Sequence, residues 1–195
     1  MEDLIIFILA HEAGLNVRKY AGLSLNQKFE QAKKTGWAND QDDPGGATQC
    51  GITIGTYKGW CRSAGLPVPS AAQLKNITFA HWLGVFRSLF WDLCKADFIN
   101  CTPVAWLIVD WVWASGPKVI KEFQRLLGVS QDGKIGPFTL AAANSADGRT
   151  LFTALHQARH SYISKCIARN SRLKKFEKGW RKRLNRITFE GLKFE

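Results

Sequence analysis

Apolar and polar positions alternate with helical spacing over most of the chain. The first such stretch, Asp3 to Ala13, places Ile5, Ile8 and Leu9 on one stripe and is followed by Gly14, a residue that commonly ends helices. Capping and first-turn residues predict the starts of further helices at Ser24, Thr56, Ser70, Thr78, Thr102, Pro117, Pro137 and Arg149. We therefore expect a mainly α protein.

Two later helices differ in character. The helix that follows Thr102 is the most apolar in the chain, which predicts that it lies at the centre of the core. Asp110 falls inside it and must be hydrogen-bonded if it is buried, so we assign it a structural role. The tail from Arg169 to Ile187 interleaves basic residues with an apolar stripe, a pattern typical of an amphipathic helix that packs on its own core.

One segment, Asn39 to Ile54, departs from the helical pattern. Its Asp-Asp-Pro-Gly-Gly run combines two carboxylates, a fixed φ and two permissive glycines, which predicts a tight turn that displays its acids. The following Gly51–Thr56 is short and β-prone. We therefore expect a small β-hairpin or strand element near the turn Asp43–Thr48.

Composition limits the classes of partner. The 195 residues suffice for one core, or for one core with a small lobe. With 27 Lys and Arg against 16 acids, the chain carries a net charge of +11, and such a field attracts nucleic acid, anionic lipid or an anionic cell wall. No nucleic-acid recognition module accompanies the basic tail, so we expect no nucleic-acid partner.

The cysteines and the N-terminal residues bear on metal binding and on secretion. The five cysteines are odd in number and lack metal-ligand spacing, which favours reduced thiols and predicts no metal and no cofactor. The start, Met1-Glu2-Asp3, is acidic where a secretory signal is basic, and no segment is long enough to span a bilayer. We expect synthesis in the cytoplasm without a recognisable signal peptide.

Glu12 is the candidate acid of the first helix. It takes the next position on the apolar stripe, where a carboxylate is partly desolvated, a condition that suits a general acid. The alternative interpretation is a glutamate at a helix end that points into water or pairs with a lysine.

The chain resembles the glycoside hydrolase family 108 muramidases, relatives of phage-type lysozymes. The resemblance rests on His11–Gly14, on the Asp43–Thr48 turn and on Gly51–Thr53, with further similarity at Phe90-Trp91 and around Asp110. A later part of the chain is similar to the peptidoglycan-binding segment of the same proteins, at Leu126–Val129, Asp132-Gly133, Ile135–Pro137 and Gly179-Trp180.

This resemblance implies a lysozyme-like fold that cleaves the β-1,4 bond between N-acetylmuramic acid and N-acetylglucosamine. It implies that Glu12 is the general acid and that Asp43 and Thr48 position a water, with Asp40 and Asp42 as alternatives to Asp43. The predicted substrate-binding residues are Asp40, Gly45, Gly46, Trp91 and Asp132. Residues 1–114 would form the catalytic part and residues 115–195 a helical peptidoglycan-binding part. We expect a monomer whose partner is the glycan strand of peptidoglycan, and whose site of action is the cell wall or periplasm.

Three departures from the family pattern accompany the resemblance. Ala13 stands where the family usually has glycine, Ala114 stands where asparagine is common, and Leu15–Trp37 looks like an insertion that forms a lip over the cleft. Some relatives carry secretion-activator labels. The alternative function is therefore a non-catalytic protein that binds the wall or assists secretion.

Overall fold

A computed structural model describes residues 1–39 and 45–194. The chain forms two compact units, Met1–Leu89 together with Phe194, and Phe90–Lys193. Among the described residues, no helix combines the length and apolarity needed to cross a membrane. The division at residues 114 and 115 stays a prediction.

The first unit contains five α-helices and a small sheet within its described part. The helices are α1 (Glu2–Ala13), α2 (Leu25–Lys33), α3 (Ile54–Ser63), α4 (Ala71–Lys75) and α5 (Phe79–Phe86), and the strands are β1 (Trp37–Ala38), β2 (Thr48–Gln49) and β3 (Ile52–Thr53). The predicted caps at Ser24, Ser70 and Thr78 are confirmed, and the first two form capping boxes with a glutamine three residues on. The prediction that Thr56 caps α3 is wrong, because the hydroxyl of Thr53 caps it instead.

Helix α1 is the centre of the first unit. Its residues Leu4–Leu9 are all buried, and α2 packs against it through Phe29 and Ala32. The predicted stripe of Ile5, Ile8 and Leu9 is buried, and the residues off the stripe, Leu4, Ile6 and Phe7, are buried as well. The predicted end of the helix is confirmed, since Gly14 takes a left-handed conformation with φ of 65°.

The sheet has the antiparallel order β1-β2-β3. Ala38 pairs with Thr48, and Thr48 pairs with Thr53 across the hairpin of β2 and β3. Cys50 and Gly51 form the two-residue loop of this hairpin with φ of 47° and 81°, the positive values that such tight loops require. The predicted fold class, mainly α with a small β element next to the turn, is confirmed.

The second unit is also mainly helical. A π-helical turn, Arg87–Trp91, crosses from the first unit into it, and its α-helices are α6 (Thr102–Ser115), α7 (Ile120–Leu126), α8 (Pro137–Ser145), α9 (Gly148–Arg169) and α10 (Glu177–Asn185). Short 3₁₀ helices span Ala96–Phe98, Pro117–Val119 and Ser171–Phe176. A hairpin of β4 (Ile187–Thr188) and β5 (Gly191–Leu192), which the sequence pattern did not predict, follows α10.

Asp110 on the buried helix α6 binds two arginines of the same unit. Its carboxylate lies 2.8 Å from Arg159 Nη2 on α9 and 2.6 Å from Arg183 Nη2 on α10, and its own side chain is fully buried. Burial raises the pKa of Asp110, but the Arg183 and Arg159 guanidiniums outweigh burial and hold that pKa at about 2. The predicted structural role of Asp110 is confirmed, because the carboxylate joins three helices.

Candidate active site

The predicted acid, Glu12, lies in the last turn of α1. Its side chain is half-buried, whereas Leu9 one turn earlier is fully buried. Glu12 thus lies at the boundary between the apolar core of the first unit and its partly accessible surface. A carboxylate in such a position can exchange protons with a bound substrate while part of its hydration is removed.

Two residues after α2 hold the end of α1 against the sheet. The hydroxyl of Thr35 donates to the Ala13 carbonyl over 2.5 Å. Gly36 lies so close to both elements that an added Cβ would be 2.7 Å from Cys50 Sγ and 2.9 Å from Ala13 Cβ. Glycine is therefore the residue that permits this approach, which brings the Glu12 turn next to the β2–β3 hairpin.

The tip of that hairpin is anchored from both sides. The Cys50 amide donates to the Gly36 carbonyl over 2.8 Å, and the Trp82 indole donates to the Cys50 carbonyl over 3.1 Å. Cys50 has a positive φ although it is not glycine, a conformation that persists only where surrounding contacts hold it. The hairpin tip is therefore a rigid platform beside α1.

Burial and nearby charges set the pKa of the thiol at this tip. Burial raises the pKa of the Cys50 thiol to about 12, the Lys33 ammonium opposes the shift, and the negative charge of Glu12 adds to it. Glu30 acts on the same thiol, but its carboxylate forms an ion pair with Lys33 at 3.0 Å.

Thr48 stands on this hairpin, two residues before Cys50. Strand β2 alternates, so Gln49 is buried with its amide donating to the Lys33 carbonyl, while Thr48 points to the other face and stays half-buried. The Thr48 hydroxyl donates to the Gly46 carbonyl over 3.2 Å. Gly46 has a φ of 63°, which closes the end of the predicted turn. Thr48 is thus positioned by the same hairpin that borders Glu12.

Other predicted residues of the turn fall partly outside the described structure. Asp40, Asp43 and the alternative Asp42 lie within residues 40–44, outside the described residues. Gly45 is exposed next to Gly46. The catalytic role of Asp43 and the substrate-binding roles of Asp40, Gly45 and Gly46 stay predictions.

Trp91 and Asp132 belong to the second unit. Trp91 is only 4% exposed, and a buried indole does not favour stacking on a sugar ring. Asp132 accepts from the Gln124 side chain at 2.7 Å and from the Lys134 amide at 2.8 Å, and these bonds lower its pKa. Asp132 therefore organises its own loop, and a role in substrate binding stays a prediction.

The segment Leu15–Trp37 contains α2, whose Phe29 and Ala32 are fully buried. Helical spacing places Lys28 off the apolar face of α2 and predicts a solvated side chain. This prediction is wrong, because the side chain is 6% exposed and its ammonium donates to the carbonyls of Ala21, at 3.2 Å, and Leu23. The segment is thus part of the core of its unit. Whether it also forms a lip over the cleft stays a prediction.

Sequence reasoning missed Thr35, Gly36 and Cys50, which join α1 to the hairpin. The signal available was weak: a Thr-Gly pair after a helix reads as an ordinary helix end. Among the described residues, no three His, Cys, Asp or Glu side chains are grouped as metal ligands would be. All five cysteines are unpaired thiols, and Cys50, Cys61 and Cys94 are buried.

Two regions of the chain match known family models. Residues 30–116 match the model of Glycosyl hydrolase 108, and residues 118–185 match the model of a Predicted Peptidoglycan domain. The chain is also similar to the solved structure of Brucella abortus SagA, with 29% identity, a TM-score of 0.67, and coverage of 83% of this chain and 91% of SagA. No curated protein matches the chain.

The comparisons support two statements about the chain. The two matched regions support a peptidoglycan hydrolase family, and the similarity to SagA confirms the lysozyme-like fold class. The hydrolase match includes Thr48 and the Asp43 position but begins after Glu12. The case for Glu12 therefore rests on its place beside the hairpin.

Proposed function

We propose that this protein is an N-acetylmuramidase that cleaves the β-1,4 bond between N-acetylmuramic acid and N-acetylglucosamine in peptidoglycan, at the cell wall or in the periplasm. The observation that carries the proposal is that Glu12, half-buried at the end of α1, belongs to the turn that Thr35 and Gly36 hold next to the hairpin of Thr48. The family supports glycoside hydrolysis, and the peptidoglycan domain supports the substrate.

In this mechanism Glu12 is the general acid. It donates its proton to the glycosidic oxygen as the bond to the anomeric carbon breaks, so that the leaving sugar departs as a neutral alcohol. Glu12 follows the fully buried residues of α1 and is itself half-buried, so its carboxyl is fixed in place while it stays within reach of a bound substrate.

The Asp43–Thr48 turn supplies the second component. Asp43 accepts a proton from a water, Thr48 helps to orient that water, and the water attacks the anomeric carbon from the face opposite to Glu12. This route inverts the configuration of the anomeric carbon. Inverting enzymes hold their two carboxyl groups roughly 6.5–9.5 Å apart to leave space for the water.

The test compares Glu12→Gln with Glu30→Gln, because both glutamates affect the Cys50 thiol and Glu30 is an acid of α2 that forms an ion pair with Lys33. We expect Glu12→Gln to lower the rate of muropeptide release from purified peptidoglycan by roughly 10²–10⁴-fold, the typical contribution of a general acid. Glu30→Gln should keep wild-type activity. Equal rates for Glu12→Gln and wild type would refute the assignment of Glu12.

Two further readouts complete the test. The anomeric configuration of the first product, followed by NMR, should be inverted relative to the substrate, and retention would exclude the water-based role of Asp43 and Thr48. If the wild-type protein binds peptidoglycan but releases no reducing ends, the chain is a non-catalytic wall-binding protein instead.

A further inference from the structure

The peptidoglycan-domain region carries an exposed pair of aromatic rings that the catalytic proposal does not use. Phe176 ends the 3₁₀ helix before α10, and Trp180 lies one helical turn later. Their side chains are 46% and 36% exposed. The ring centroids are 5.7 Å apart and the planes differ by 25°, so the two rings form one continuous apolar platform.

Positive charge surrounds this platform. Glu177 is the one acidic residue in the sequence from 148 to 189, against twelve Lys and Arg. Both oxygens of Glu177 are already engaged, one by Lys174 at 2.6 Å and the other by Arg181 at 2.9 Å. The Lys175 ammonium lies 4.9 Å from the centroid of the Phe176 ring. The platform is therefore edged by cations that this stretch of sequence does not neutralise.

Gly179 provides an independent indication of a partner. It lies in the first turn of α10, its φ is not positive, and an added Cβ would meet nothing within 4 Å. Nothing within the fold requires a glycine here, although glycine disfavours a helix relative to alanine. At helical spacing, Gly179 shares one face with Lys182 and Arg186, next to the aromatic pair. A missing side chain at this place leaves room for a molecule to lie along the helix.

We propose that Phe176, Trp180 and Gly179, with Lys175 and Lys182, form the wall-binding subsite of the peptidoglycan-domain region, and that its ligand is a glycan strand with its stem-peptide carboxylates. The inference rests on the proposed function, because it assigns the anchoring of the same substrate. The C–H face of a sugar ring is apolar and packs on the aromatic platform. The carboxylates of the stem peptides meet the flanking ammonium groups.

The test measures co-sedimentation with purified insoluble peptidoglycan, and every protein carries Glu12→Gln so that the glycan is not degraded. The variants are Phe176→Ala, Trp180→Ala and Gly179→Leu, and the matched control is Phe138→Ala, which removes an aromatic ring that is 85% exposed in the same unit. We expect each platform variant to weaken binding about tenfold or more, equivalent to about 1.4 kcal/mol. The control should bind as tightly as the parent protein.

Gly179→Leu separates binding from folding. The open space at this position and the higher helix propensity of leucine predict an unchanged or raised melting temperature together with weakened binding. A Lys182→Ala variant should flatten the dependence of binding on salt, whereas Lys165→Ala, an exposed lysine of α9, should leave it unchanged.

The outcomes distinguish the inference from the function on which it rests. Wild-type-like binding by Trp180→Ala and Phe176→Ala, with binding by the parent intact, overturns this subsite alone. Absence of binding by the parent overturns the proposed function as well. Vesicles of phosphatidylglycerol and phosphatidylcholine serve as a further probe: loss of vesicle binding without loss of peptidoglycan binding in Trp180→Ala would assign the platform to a lipid surface and overturn the proposal.

Discussion

Replacing Asp110 by asparagine should destabilise the second unit more than any exposed charge change. Asp110→Asn preserves the volume of the side chain but removes the buried carboxylate charge that Arg159 and Arg183, whose side chains are 5% and 13% exposed, bind. Removing one partner from a buried ion pair costs about 3–5 kcal/mol, because a buried charge remains uncompensated. At roughly 2–4 °C per kcal/mol for a chain of this size, the melting temperature should fall by about 6–20 °C.

Two control variants test whether the loss of stability comes from the buried carboxylate. Glu122→Gln removes an ion pair with Arg125 at 2.7 Å whose side chains are 36% and 53% exposed, and should change stability by about 0–1 kcal/mol. Arg159→Met keeps the ion pair between Asp110 and Arg183, in which one negative and one positive charge balance. It should therefore destabilise the protein less than Asp110→Asn. Thermal and urea unfolding, followed by circular dichroism, measures all three variants. If Asp110→Asn were no more destabilising than Glu122→Gln, the buried network would not stabilise the fold as argued.

The same network predicts the response to acid. The Asp110 pKa falls from 3.8 to about 2 on folding, so the stabilisation is present above the ordinary carboxyl pKa and is lost as the pH falls from about 4 towards 2. The shift corresponds to a stabilisation of roughly 2–3 kcal/mol. In Asp110→Asn, this pH-dependent part of the free energy of unfolding should be absent. An identical acid transition in wild type and variant would contradict this reasoning.

Two further predictions concern Gly36 and Cys50, whose contacts hold α1 next to the β2–β3 hairpin. Gly36→Ala should cost about 1–3 kcal/mol and lower muropeptide release, because the new Cβ would lie 2.7 Å from Cys50 Sγ, whereas Gly59→Ala on α3, where nothing lies within 4 Å, should be neutral or stabilising. Equal melting temperatures for the two variants would show that the contact of residue 36 with Cys50 tolerates a methyl group. Iodoacetamide at pH 8 should leave the folded Cys50 unmodified, because the thiol is buried with a pKa of about 12, and should react faster with the half-exposed Cys101. Peptide mass spectrometry measures both sites, and modification of Cys50 at the rate of Cys101 would contradict its burial.

Helix starts and ends were predictable because their signals are local. A serine with a glutamine three residues later satisfies the free amides of a first turn wherever that turn lies, as at Ser24 and Ser70. Gly14 ends α1 for the same kind of reason, since a left-handed residue needs no distant partner. The cap of α3 was misplaced by three residues because Thr53 and Thr56 are both chemically suitable.

Burial was less predictable because it depends on which elements cover a residue. Helical spacing placed Lys28 on a solvated face, yet its ammonium reaches the carbonyls of Ala21 and Leu23 within the preceding loop. Periodicity likewise placed Ile5, Ile8 and Leu9 on a buried stripe, and the fold buries Leu4, Ile6 and Phe7 as well. Phe176 and Trp180 show the reverse, since part of an apolar stripe that was expected to pack on the core stays exposed.

The sequence by itself determined the helical class, the positions of most caps, the β element beside the acidic turn and the candidate acid Glu12, because these depend on spacing and on side-chain chemistry within a few residues. Only the tertiary structure decided that Gly36 and Thr35 hold the Glu12 turn against the Cys50 hairpin, and that Asp110 meets an arginine 73 positions away. Such contacts join segments whose separation along the chain leaves no periodic signal. They exist because packing, rather than local preference, selects which buried groups become neighbours.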